Sequence, residues 1–172
     1  AKIYPVKLIS YAVETEGGAK FAKECFKMGV VPSCGHTGAK FKDLVPAYKN
    51  GLRHMTHFCN QMTPLHHREI GMVGAGFLVE DLNTEVICDK IHLCPDMIAL
   101  TFKVKPIDKI LLITDAMEAT GLPDGNYQLG GLARGLGGPL LVAGGKGHRR
   151  HHQGCQCYSV YILHSHILHS LI

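Results

Sequence analysis

No acidic residue occurs after Asp124, although the 172-residue chain holds fourteen of them. Arg134, Lys146, Arg149 and Arg150 all lie beyond that point, so the formal net charge of +4 belongs to the tail. Residues 1–124 carry fourteen basic and fourteen acidic groups, a balance that argues against a general nucleic-acid-binding surface. No apolar run approaches the roughly 18 residues of a membrane-spanning helix, because charges or histidines interrupt each candidate. A membrane segment is therefore not expected. No CxxC pair occurs either: Cys25, Cys34, Cys59, Cys88 and Cys94 are scattered, which fits reduced thiols in a cytoplasmic protein better than a disulfide framework.

What is present suits one globular domain with a real core, 46% apolar and 19% charged. Short β-branched or apolar runs at 3–9, 30–36, 53–58, 84–89 and 109–115 read as strands. Helical patterns fall between them at 14–28, 38–49, 71–80 and 95–104. Strands that are nearly continuous apolar runs, separated by helices, predict a parallel sheet covered on its faces. The expected class is α/β, with about five parallel strands. Five strands do not close an eight-stranded barrel, so an open sheet or a partial TIM-type (β/α) barrel is expected. Ala1 already lies in a strand-like segment, which suggests a start within a larger domain.

From about Leu132 the character changes. Residues 125–172 contain no acid, hold ten of the twenty glycines and end in a near repeat, ILHS at 162–165 and 167–170. The chain thus divides into 1–131 and an atypical Gly/His-rich tail, 132–172, that reads as frame-shifted or disordered. A rival reading is a metal-binding tail, since His148, His151, His152, Cys155 and Cys157 are suitable ligand types, but their spacing matches no zinc motif.

Chemistry-bearing residues gather at predicted C-terminal strand ends: His36, His57, Asp89 with His92 just beyond, and Asp115. Parallel sheets place their sites there. A hydrolytic metal site needs imidazole or carboxylate ligands and a nearby carboxylate to take a proton from water. His36, His57 and Asp115 supply those types. Each alone reads more simply, a strand-end histidine as a hydrogen-bonded structural residue and Asp115 as a cap or loop anchor. Three on one rim weaken that reading. A second cluster, His66, His67, Arg68 and Glu69, precedes a glycine-punctuated helix, where Arg68 is a candidate anion clamp.

The segments GHTGA (35–39), HMTHFCNQMTPLHHREIGMVGAG (54–76), DKIH (89–92) and TDAMEATGLPDGNYQLGG (114–131) resemble, in order and spacing, the signature of N-acetylglucosamine-6-phosphate deacetylases of the amidohydrolase superfamily. The resemblance covers residues 3–131 and implies the C-terminal half of a metal-dependent deacetylase barrel. It implies that His36 and His57 bind the catalytic divalent metal, zinc or iron, and that Asp115 is the catalytic acid/base. It also implies that Asn60 and Gln61 contact the sugar phosphate, that Arg68 and His92 help hold the phosphate, and that Asp89 lines the substrate site. The implied reaction releases acetate from N-acetylglucosamine 6-phosphate and leaves glucosamine 6-phosphate. A homodimer is implied, with phosphate contacts crossing its interface.

Three departures accompany the resemblance. The family's glutamate ligand and the histidine that polarises the acetyl group would precede Ala1, so two imidazoles are expected to bind metal weakly and this fragment is expected to be inactive by itself. The family's continuation after Gly131 is missing from 132–172. Locally, Gln61 stands where the family usually has a small residue, Ile70 where it has proline, and Lys90 where it has glycine. Two alternatives stay open: a deacetylase of another N-acetylhexosamine phosphate, and a non-catalytic fragment with exposed sheet edges that favour association.

Overall fold

A computed structural model of the chain describes residues 5–116, 119–120, 126–129 and 132–135. They fall into two units, one ending at Thr114 and one beginning at Asp115. In the first unit the elements alternate: β1 (Leu8–Tyr11), α1 (Gly18–Lys27), β2 (Val31–Cys34), α2 (Phe41–Lys49), β3 (His54–Met55), α3 (Gly71–Leu78), β4 (Asn83–Ile87), α4 (Pro95–Val104) and β5 (Ile110–Ile113). The strands form one sheet in the order β1-β2-β3-β4-β5, each neighbouring pair parallel. This is the five-stranded parallel α/β architecture that the sequence predicts.

Alternation along the strands gives the sheet two different faces. Tyr11, Cys34 and Met55 pack into the apolar core with Ala22, Leu44 and Met72 from the helices. The intervening residues are polar and bond to one another. Thr56 Oγ1 lies 2.5 Å from Ser10 Oγ and 2.6 Å from Ser33 Oγ, and His54 Nε2 lies 2.9 Å from Glu85 Oε1. Buried polar groups are tolerated when paired in this way.

The helices follow from local chemistry. In α1 the buried residues Gly18, Ala22 and Cys25 recur at i, i+4 and i+7, one stripe along a helix whose other positions include four lysine and glutamate side chains and the exposed Phe21 and Phe26. Helix α2 starts where Asp43 Oδ2 accepts the Lys40 N–H at 2.9 Å, closing the first turn. Pro95 opens α4 at a position where its missing N–H costs nothing. Helix α3 buries every residue from Gly71 to Gly76, as a helix apolar all round must. It also comes very close to its neighbour: a Cβ on Gly76 would sit 2.3 Å from Phe58 Cε2, so only glycine lets α3 rest on that ring. The buried Lys105 ammonium donates to the carbonyls of Val79 and Glu80 at 2.9 and 3.0 Å, closing the end of α3.

Several boundaries differ from the sequence reading: among the described residues the strand expected over 3–9 pairs at Leu8–Tyr11, and the helix expected over 38–49 begins at Phe41. The helix expected over 14–28 begins at Gly18, because residues 14–17 turn, with Gly17 at φ 77°. The strand expected over 53–58 pairs only at His54 and Met55, because His57 enters the left-handed region at φ 31° and breaks the extended run.

In the second unit, β6 (Asn126–Leu129) and β7 (Leu132–Gly135) pair antiparallel, Leu129 opposite Leu132. The sequence reading did not anticipate this strand pair. Residues 136–172, most of the atypical tail, lie outside the described residues, as does the question of whether the tail is frame-shifted or disordered.

Leu44 is fully buried at the centre of the first unit's core. Truncation to alanine is expected to cost about 2–5 kcal/mol, read from a urea denaturation midpoint. A loss below about 1 kcal/mol would show that this core does not carry the unit's stability.

Candidate active site

Strands β2 to β5 end in the same unusual way. Two residues after β2 comes His36 at φ 46°, two after β3 comes His57 at φ 31°, three after β4 comes Lys90 at φ 63°, and two after β5 comes Asp115 at φ 52°. A side chain in the left-handed region costs about 1–2 kcal/mol, and such strain persists only where surrounding contacts over-determine it. Three of these four are the candidate metal ligands and the candidate acid/base.

The contacts that hold His36 come from both sides of its loop. Glu14, just after β1, accepts the Gly38 N–H at 2.7 Å on Oε1 and the Thr37 hydroxyl on Oε2. From the β3 side, the Thr37 N–H donates to the Gln61 carbonyl at 2.9 Å. Gly35 passes so close to Thr56 that an added Cβ would lie 2.8 Å from its Cβ, which keeps the two loops together. His57 is held by Glu85 of β4, whose Oε2 accepts its N–H at 3.2 Å.

The result is an edge-to-face pair of imidazoles, ring centroids 4.7 Å apart and planes at 76°. His36 is exposed and His57 is buried. The His57 Nδ1 is buried with no hydrogen-bond partner among the described residues, a costly arrangement unless a metal or substrate atom completes it. An imidazole pair suits zinc or iron(II). Among the described residues no group of three His, Cys, Asp or Glu side chains is arranged to hold a metal. The donor set fits a divalent cation in kind, with two ligands rather than three. Beside the pair opens a cleft of about 460 Å³ lined by His36, Thr37, Gly38, Gln61, Met62, Thr63 and Pro64.

Other candidates divide into those near this cleft and those in turns of their own. Asn60 points its amide back to the carbonyls of His57 and Phe58 at 3.3 and 3.4 Å, and Gln61 lines the cleft at φ 49°. Arg68 does not line it: its Nη1 donates to His67 Nε2 at 2.8 Å, in an exposed turn where the His66 and His67 rings stack 4.1 Å apart. Asp89 and His92 form a separate turn. Asp89 Oδ1 accepts the N–H groups of Ile91 and His92 at 2.8 Å each, and His92 Nδ1 lies 2.6 Å from Oδ2. Asp115 is buried and begins the second unit.

Sequence reasoning missed Glu14, Glu85 and His54. A signal existed for Glu85, a carboxylate inside the apolar run TEVICD rather than at its end, where Asp89 stands. Two of the three local departures, Gln61 and Lys90, occupy left-handed positions, where glycine, lacking a Cβ, carries less strain.

Lys90→Gly is therefore expected to be neutral or to stabilise by up to about 1 kcal/mol. A clear loss in denaturant titration would mean that the Lys90 side chain holds this turn by itself. Acid should loosen the same turn. Partial burial works to raise the Asp89 carboxyl, but hydrogen bonds from His92 and Ile91 outweigh it and hold its pKa below the ordinary value. Its stabilising contribution is present above the unfolded-state pKa and is lost as pH falls through the lowered folded one. Amide exchange at Ile91 and His92 should quicken over that range, and exchange independent of pH-driven opening there would contradict the assignment.

No protein-family model matches the chain. It is 40% identical over 126 residues to N-acetylglucosamine-6-phosphate deacetylase of Lysinibacillus sphaericus, which covers 73% of this chain and 33% of that protein. It is 36% identical over 128 residues to N-acetylgalactosamine-6-phosphate deacetylase of Escherichia coli O157:H7, 74% of this chain and 34% of the relative. A solved structure of N-acetyl-D-glucosamine-6-phosphate deacetylase from Mycobacterium smegmatis, a mutant in complex with N-acetyl-D-glucosamine-6-phosphate, matches with a TM-score of 0.75 at 31% identity over 83% of this chain and 38% of that one. The chain thus spans about a third of the length of the relatives it matches. Over that third, in sequence as in fold, it resembles the N-acetylglucosamine-6-phosphate deacetylases.

Proposed function

We propose that this segment supplies two metal ligands, the proton-transferring carboxylate and the phosphate contacts of a deacetylase that hydrolyses N-acetylglucosamine 6-phosphate to glucosamine 6-phosphate and acetate. The observation that supports it most is the His36–His57 pair, two imidazoles 4.7 Å apart on left-handed backbone, with a buried ring nitrogen lacking a partner among the described residues. A divalent cation bound there, zinc or iron, supplies Lewis acidity toward the acetyl carbonyl and makes water a better nucleophile near neutral pH.

The chain's own residues do the rest. Asp115, assigned from the TDA motif, takes a proton from the attacking water as its oxygen bonds to the acetyl carbon. It returns that proton to the amine nitrogen as the C–N bond breaks, giving acetic acid and the free amine, and the acid's remaining proton passes to the amine so that acetate and the amino sugar leave. Asn60 and Gln61 contact the sugar phosphate, and Arg68 and His92 neutralise the phosphate as charge-assisted donors. Asp89 fixes the His92 ring for that task, since its carboxylate accepts from Nδ1. The protein acts in the cytoplasm as a homodimer on this small-molecule substrate.

A second substrate reading, an N-acetylhexosamine phosphate of other configuration, is favoured by the similarity to a galactosamine-type deacetylase. A non-catalytic fragment is the remaining alternative.

Acetate release from N-acetylglucosamine 6-phosphate, with zinc or iron(II) added, tests the reaction. Any release should depend on His57, with loss in His57→Ala, and release unaffected by that change would sink the assignment. Because two imidazoles bind metal weakly by themselves, cobalt(II) titration accompanies it. A weak component is expected that is lost in both His36→Ala and His57→Ala, whatever the tail histidines bind, and cobalt(II) binding unchanged by either substitution overturns the ligand pair.

A further inference from the structure

Glu85 sits in the middle of β4, 1% exposed, with no lysine or arginine in a salt bridge to it among the described residues. A carboxylate in such a place is expensive unless each oxygen is hydrogen-bonded. Both are: Oε1 faces His54 Nε2 at 2.9 Å, and Oε2 accepts the His57 N–H at 3.2 Å. The main-chain carbonyl of the same residue accepts the Phe58 N–H at 2.7 Å. Two successive amides therefore converge on one residue. The peptide unit before the His57 Cα is fixed by its own N–H, and the unit after it by the N–H of Phe58, so both backbone torsions of His57 are set from β4. That convergence is possible only because His57 is left-handed, at φ 31°.

We propose that Glu85 is the positioning residue of His57: its carboxylate, held against rotation by His54, locks the strained backbone that turns the His57 ring toward His36. The inference rests on the reading of His57 as a metal ligand. Without the carboxylate the His57 N–H would be buried and unpaired, and the backbone would relax toward the extended region with its ring.

The test compares Glu85→Gln and Glu85→Leu in the chain carrying ¹⁵N-labelled histidine. A glutamine keeps one acceptor, which stays on the His57 N–H; its amide then donates to His54 Nε2, which requires the His54 ring to carry its proton on Nδ1. The expected result is an inverted His54 tautomer in the ring ¹⁵N shifts, with His57 resonances close to wild type and cobalt(II) affinity kept within about threefold. In Glu85→Leu, folded by circular dichroism, the His57 amide and ring signals should move while those of His36 persist, and cobalt(II) affinity should fall by about tenfold or more.

Unchanged His57 signals in folded Glu85→Leu would overturn the proposal. If that variant does not fold, an unchanged His54 tautomer in Glu85→Gln overturns it instead. Absence of cobalt(II) binding in the unsubstituted chain would count against the metal reading alone, because the ring and amide signals judge the positioning role without metal.

Discussion

Left-handed backbone just past the C-terminal ends of parallel strands is the constraint on which the rest of this structure depends. His36, His57, Lys90 and Asp115 all adopt it, at about 1–2 kcal/mol each. Nothing local favours that conformation for a side chain with a Cβ. What sustains it is contact from neighbouring strands: Glu14 beyond β1 and the Gln61 carbonyl beyond β3 for the His36 loop, and Glu85 of β4 for His57. For the His36 loop and for His57, the contacts that hold the strained backbone thus come from outside their own strands.

The fold was legible because its periodicities are strong. Five apolar runs separated by helical patterns predict the observed strand and helix order, and α4 begins and ends where the sequence places it. What sequence could not show is where side-chain hydrogen bonds override a run. His57 ends β3 after two residues although RHMTHF reads as a full strand, because its φ answers to Glu85, 28 residues away. The β6–β7 pair went unread for a different reason, because a change of composition drew attention away from its strands.

The candidate site was partly legible for a related reason. His36 and His57 are residue types that stand out at strand ends, and the structure brings their rings together. Glu14 does not stand out, and Glu85 does so only as a carboxylate inside an apolar run, because the partners of both are backbone amides and side chains far away in the sequence. Arg68, and Asp89 with His92, lie in their own turns away from the cleft lining. Their bearing on a sugar phosphate thus comes from the motifs and from relatives of which the chain spans about a third.

Helix α3 adds a mechanical element to this arrangement. It has no exposed charge between Gly71 and Gly76, and it meets Phe58 through the missing side chain of Gly76. Phe58 directly follows His57 and hangs from β4 by its own N–H. A side chain at Gly76 would therefore press on the ring that follows His57 in the chain, so a helix without a single reactive group bears on the segment that carries the imidazole.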